Sequence, residues 1–137
     1  MIPTWADSWI GLEYADRGRG PAYDCWGLAK TVLASHGIPA PDYLDEYRTS
    51  EDMHSVADAM GRCLARDWTR VAGDAKELDI VILNIAGRPW HCGVMLNAEQ
   101  FLHSPPPAKS VQHLSGIEAV TDPQWERRVA GYWRWAQ

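Results

Sequence analysis

The sequence predicts an α+β fold in which helices come first and a mainly antiparallel sheet follows. Two observations carry that reading. Up to about residue 65 the apolar residues recur at helical spacing, at i, i+3, i+4 and i+7. From residue 78 onwards they form short apolar or alternating runs separated by turn residues, which is the pattern of strands. Helices gathered in one half and strands in the other point to α+β rather than to alternating βαβ units.

The first helix begins in YDCWGLAK (23–30). Asp24 is a suitable N-cap, and Cys25, Leu28, Ala29, Val32 and Leu33 follow at the spacing of one helix face. Gly37 suits the C-terminal cap, with Pro39 just beyond it. A proline-punctuated loop, IPAPDYLDEY, leads to a second helix over 50–65. Ser50 is read as its cap, Glu51 and Asp52 lie at its positive end, and Met53, Val56, Ala57, Met60 and Leu64 form its apolar stripe.

Strands follow. LDIVILNI (78–85) reads as a mostly buried strand, and GRP (87–89) punctuates what comes after it. WHCGVML (90–96) and QFLHS (100–104), separated by NAE, read as a hairpin. KSVQHL (109–114) and GYWRWA (131–136) complete the expected sheet.

Length and composition narrow the function. At 137 residues the chain is read as one domain, 1–137, long enough to bury a core. Its net charge of -5 and the absence of a basic stripe argue against a nucleic-acid partner. No apolar run reaches the roughly 20 residues of a membrane span. The start, MIPTWADSWIGLEYADRGRG, lacks the basic and apolar regions of a secretory signal, so synthesis in a cytoplasm is expected. Three cysteines, Cys25, Cys63 and Cys92, without an export signal, suggest reduced thiols rather than a disulfide framework. Eight tryptophans against one phenylalanine serve either as core filling or as stacking platforms for a ligand.

Cys25 has two readings. Cysteine is among the most buried residue types, which makes it a small apolar filler. At the first turn of a helix, however, unpaired backbone N–H groups and the helix dipole favour a thiolate. Asp24 opposes this as a nearby negative charge unless its carboxylate is tied to the Gly27 amide. Glycine inside a helix costs about 1 kcal/mol relative to alanine, so Gly27 implies close packing or close approach of a substrate.

A thiol nucleophile needs a base within reach and a group to orient that base. His36 stands at the far end of the same helix, about 16 Å away at 1.5 Å per residue, and is too distant. His54 falls on the second helix without a partner. On the strand 90–96, His91, Gly93 and Met95 share one face, and Cys92, Val94 and Leu96 share the other. A hairpin centred near Ala98 sets His103 opposite Gly93, diagonal to His91 and on its face. Gly93 leaves room for two imidazoles facing the start of the Cys25 helix. Cys92 then belongs to the core face, and Cys63 is read as structural.

In that order, DCWGLA, LDIVIL, HCGVML and FLHS resemble the NlpC-type cell-wall peptidases, a papain-like family that cuts peptidoglycan stem peptides. The resemblance runs from about Trp9 to Trp135. It is nearest to the short forms of phage tails and gene-transfer agents, where a tryptophan follows the cysteine and a GRPWH run leads into the histidine. It implies a papain-like fold with Cys25 as nucleophile at a helix N-terminus, His91 as base and His103 as the polar residue orienting it. Tyr14 matches an upstream tyrosine that lines the site and supports the oxyanion. The implied reaction is acyl transfer through a thioester, usually at the bond from the D-glutamate side chain to a diamino acid. No cofactor and no metal are implied. The implied partners are the peptidoglycan stem peptide and, for a tail-type member, other phage-tail or tail-tip proteins, with a virion- or tail-associated location.

Two departures from the family pattern stand out. Leu78 precedes Asp79 where the family often has Gly-Asp, and Cys92 replaces an aliphatic residue. Tyr23, Trp26 and Trp90 flank the site, either lining a substrate groove or packing into the core. Three other readings compete: a CHAP-type amidase on the same fold, an inactive tail-tip or wall-binding module, and a zinc site of Cys25, His91, Cys92 and His103. Against the zinc reading stand the lack of a C-x-x-C spacing and the alternation that points His91 and Cys92 to opposite faces of their strand; metal analysis of the purified chain decides it.

Overall fold

The carboxylate of Asp24 accepts a hydrogen bond from the Gly27 amide at 2.7 Å, and the chain enters helix α1, Cys25–Ser35, where the sequence predicts it. The computed structural model describes residues 1–105 and 114–136. α1 buries Leu28, Ala29, Val32 and Leu33, and Gly37 follows its end in the left-handed conformation (φ +80°). Gly27 is required by packing rather than by substrate access. A Cβ at this position would overlap the carbonyl oxygen of Gly18.

The second helix, α2, spans Met53–Asp67 and so starts and ends later than 50–65. Its cap is Asp52, whose carboxylate accepts from the Ser55 amide at 3.1 Å. Ser50, the expected cap, turns the other way: its hydroxyl and its amide each donate to Asp16 at 2.6 Å. A long-range partner takes the side chain that local sequence assigns to the helix. α2 buries Val56, Ala59 and Cys63.

Six strands are seen among the described residues: β1 Trp68–Arg70, β2 Ile80–Ile85, β3 Arg88–Met95, β4 Gln100–His103, β5 Gly116–Ala119 and β6 Val129–Trp135. They lie in the order β1-β6-β2-β3-β4-β5, each neighbouring pair antiparallel. β1 and β5 are too short and too polar to stand out in the sequence. The predicted strand at 109–114 falls on residues outside those described, apart from Leu114, which lies in no strand. GRP does not interrupt the sheet after β2. Ala86 and Gly87 form a tight turn at φ +54° and +76°, so Ile85 pairs with Arg88 and β3 begins there.

Leu78 explains the first departure from the family pattern. It sits at φ +73°, where glycine is at ease and leucine is strained. The adjoining Asp79 carboxylate accepts from the Lys76 amide at 2.8 Å and clamps the Arg134 guanidinium at 2.8 and 2.7 Å, fixing the entry to β2.

The sheet has two covered faces. Ile80, Ile82, Cys92, Val94 and Leu102 pack with the buried residues of α1 and with Trp68. On the opposite face, Val81, Leu83, Met95 and Phe101 pack against Val120 and Trp125. Most tryptophans go into this packing: Trp5, Trp9, Trp26, Trp133 and Trp135 border the first core and Trp125 lies in the second.

Candidate active site

Cys25 is partly accessible at the head of α1, behind a buried Asp24. The Asp24 carboxylate is held by the Gly27 amide, by Arg19 Nη1 at 3.0 Å and by the Tyr47 hydroxyl. Burial first, and the Cys25 charge after it, push the Asp24 carboxyl above its ordinary range.

The Cys25 thiol shares a cavity lining with Cys92 and lies near enough to Cys92 and to the His91 imidazole for both to act on its charge. Cys92 first, and His91 after it, hold the Cys25 thiol well below the ordinary cysteine range although burial opposes them. The same proximity, together with burial, pushes the Cys92 thiol well above it. Of the two sulfurs, Cys25 is the one that ionises. Cys92 is in the core, as strand alternation predicts, but its place beside the nucleophile is not foreseen by that alternation.

The hairpin delivers the two histidines in the predicted register. Val94 pairs with Leu102 and Met95 with Phe101, which sets His103 across from Gly93. A Cβ on Gly93 would press on the Leu102 carbonyl oxygen at 2.9 Å and the His103 Cβ at 3.2 Å, so the bare glycine lets the strands close there. His91 Nε2 and His103 Nδ1 are 2.7 Å apart, and both residues are buried. Their rings lie on the face turned away from α1, under Trp125. The Trp125 ring stacks over His91 at 6.2 Å and meets His103 edge-on at 5.6 Å.

The chain of contacts continues to a residue that sequence reasoning missed. Glu118 on β5 accepts from His103 Nε2 through one carboxylate oxygen and from Trp125 Nε1 at 2.8 Å through the other. The His103 bond is the main cause holding the Glu118 carboxyl below its ordinary range. Burial, only partly offset by Glu118, leaves His103 below the usual imidazole value. The available signal is slight: one acidic residue in the run GIEAV, in a strand too short to recognise.

Tyr14 is near enough to the thiol to feel its charge, but its hydroxyl is engaged. Ser50 donates its proton to Asp16, so the Tyr14–Ser50 hydrogen bond has Tyr14 as donor. Burial is the main cause pushing the Tyr14 phenol upward, which keeps it a proton donor. Of the flanking aromatics, Tyr23 is buried with its ring against Trp9. Trp26 donates to the Pro41 carbonyl at 2.9 Å and walls an apolar cavity of about 60 Å³ beside Cys25. Trp90 donates to the Ser50 carbonyl at 2.9 Å and stays partly exposed next to His91.

The model of the NlpC/P60 family matches residues 11–134 of this chain. No curated protein sequence matches it. Among solved structures, the fold is similar to a Staphylococcus aureus protein described as similar to a lipoprotein of the NLP/P60 family, with TM-score 0.65 and 20% identity. That match covers 96% of this chain and 39% of the staphylococcal one, so the chain spans well under half of that relative. It is also similar to the NlpC/p60 domain of the peptidoglycan hydrolase SagA, with TM-score 0.51 and 22% identity over 93% of this chain and 90% of that one. Both likenesses give the papain-like α+β fold, helices on an open antiparallel sheet, that the sequence predicts.

Proposed function

Since the chain belongs to the NlpC/P60 family of cysteine peptidases and peptidoglycan hydrolases, we propose that it cuts an amide bond in peptidoglycan stem peptides through a thioester on Cys25. One observation carries this reading above the others. The Cys25 thiol, at the N-terminus of α1, lies close enough to His91 to be acidified by it, and His91 Nε2 is bonded to buried His103.

In the first step Cys25 Sγ attacks the amide carbonyl carbon. The carbon–nitrogen bond then breaks, and the leaving amine takes a proton from the His91 imidazolium. In the second step a water gives a proton to His91 and attacks the thioester carbon, releasing the carboxylate product and the thiol. The amide N–H of Cys25, at the head of α1, supplies one donor for the oxyanion in this reading. Tyr14 becomes a second donor only by turning its hydroxyl away from Ser50.

The favoured bond is the one joining the D-glutamate side chain to a diamino acid. Trp26 after the nucleophile and the GRPWH run at 87–91 support a tail-type member of the family, whose neighbours would be tail-tip proteins. Purified peptidoglycan incubated with the protein is expected to release peptide fragments. Their masses name the bond, and a new sugar–peptide cleavage would instead indicate the amidase reading. No release by the wild type, or equal release by Cys25→Ala, would overturn the proposal.

A further inference from the structure

The two imidazoles by themselves leave open which nitrogen of each ring carries its proton. A carboxylate accepts hydrogen bonds and donates none. Glu118 touches His103 Nε2 with one oxygen and the Trp125 indole N–H with the other. His103 therefore carries its proton on Nε2. When that ring is neutral, its Nδ1 holds only a lone pair. The 2.7 Å bond to His91 then requires the proton to sit on His91 Nε2. What remains on His91 is Nδ1, unprotonated, as the nitrogen available to the thiol.

We propose that Glu118 is a positioning residue of this site: through His103 it fixes the proton on each imidazole and so leaves His91 Nδ1 basic towards Cys25. The inference rests on the thiol-hydrolase reading of Cys25 and adds a fourth member to its relay. When Cys25 gives its proton to His91, the imidazolium formed is bonded through neutral His103 to an anionic end. Charge then separates along a line of hydrogen bonds instead of building up on one buried ring.

The surroundings favour that assignment. Glu118 meets His103 from β4, the Trp125 N–H from the segment that covers the sheet, and at longer range His91 from β3. His103 in turn meets Glu118, His91 and, further off, Cys25. Trp125 is uncharged and closes the histidine face, so among these neighbours Glu118 is the one fixed negative charge at the outer end of the relay.

Two measurements test this. Long-range 1H–15N NMR on the wild-type protein at pH 7 is expected to show His103 neutral with its proton on Nε2; a proton on Nδ1 of a neutral His103 overturns the proposal. The second is the pH profile of Cys25 alkylation by iodoacetamide. In Glu118→Gln the profile is expected to move to higher pH, and on its acid limb, below both midpoints, the rate falls about tenfold for every pH unit that it moves. Turnover is expected to fall roughly 10- to 100-fold, less than the ~10⁴-fold seen when a directly bonded triad carboxylate is lost. Glu118→Asp, which keeps the charge, is expected to recover part of both. A purely structural role would leave the alkylation profile of a folded Glu118→Gln unmoved, and that result sinks the idea. If the profile moves but the wild type releases nothing from peptidoglycan, the substrate reading fails and the positioning role stands.

Discussion

His91 Nε2 lies 2.7 Å from His103 Nδ1 on the face of the sheet turned away from α1, yet the thiol that meets His91 belongs to α1. The site is thus assembled across the sheet. Its nucleophile comes from the helical layer, and its two imidazoles come from the layer closed by Trp125. The two meet beside Cys92, just past the point where the pairing of β3 with β4 ends at Val94 and Leu102. Trp125 dries the imidazoles, and the head of α1 leaves Cys25 partly accessible. Proton transfer is kept inside while the attacking atom stays within reach of substrate.

Separating the two neighbouring sulfurs is the first test of that arrangement. Cys25→Ala is expected to lower fragment release from peptidoglycan at least about 10³-fold, since it removes the nucleophile. Cys92→Ala is expected to keep hydrolysis while losing about 1 kcal/mol of stability for the space left in the core. Its remaining Cys25 should ionise at higher pH, because Cys92 is the largest cause of the lowered thiol. Activity lost equally in both variants would show that the sulfurs act as a unit.

Limiting iodoacetamide near neutral pH is expected to label Cys25 first. Alkylation follows the thiolate, and Cys25 is held low while burial pushes Cys63 and contact with Cys25 pushes Cys92 upward. Peptide mass spectrometry after partial reaction reads the order directly. Cys63 or Cys92 labelled ahead of Cys25 would contradict the assignment.

What was legible in the sequence follows local rules. The Asp24 cap, the α1 face and the hairpin register depend on residues close together in the chain, and all three are found in the structure. What was not legible has long-range causes. Ser50 reads as a helix cap because nothing nearby announces Asp16, which lies 34 residues earlier in the chain and captures its hydroxyl. GRP reads as punctuation, whereas the turn lies one step earlier, at Ala86 and Gly87. Glu118 is invisible because its partners, His103 and Trp125, come together only through the sheet. Alternation puts Cys92 in the core correctly, but no periodicity says which helix end will lie over it.

Two glycines within helices are expected to respond in opposite directions to alanine. At Gly27 the added methyl meets the Gly18 carbonyl oxygen, with Arg19 Nη1 at 2.9 Å and Asp24 Oδ1 at 3.0 Å. Gly27→Ala is expected to destabilise the protein by about 1–3 kcal/mol and to disturb the cap that presents Cys25. At exposed Gly61 on α2 nothing lies within 4 Å of the added atom. Gly61→Ala is expected to stabilise by up to about 1 kcal/mol through helix propensity. Urea denaturation of the two variants compares them, and a neutral Gly27→Ala would show that the 18–19 backbone yields.

Acid is expected to weaken the fold in two stages, the first set by His103. Burial is the main cause holding this imidazole below its ordinary value when folded, and unfolding restores that value, about 6.5. Between the folded and unfolded values the unfolded chain binds more protons, so stability falls as pH drops below about 6.5, by at most about 1.4 kcal/mol per pH unit for one such group. Glu118 acts later. Its carboxyl is lowered in the folded protein, mainly by His103, so the stability it contributes is present above the ordinary carboxyl value and is lost as pH falls through the folded one. Urea midpoints measured from pH 7.5 to 5.5 should therefore decline in the wild type and decline less in His103→Gln, which keeps a polar side chain without the titration. Equal slopes in the two proteins would mean that His103 is not the group taking up the proton.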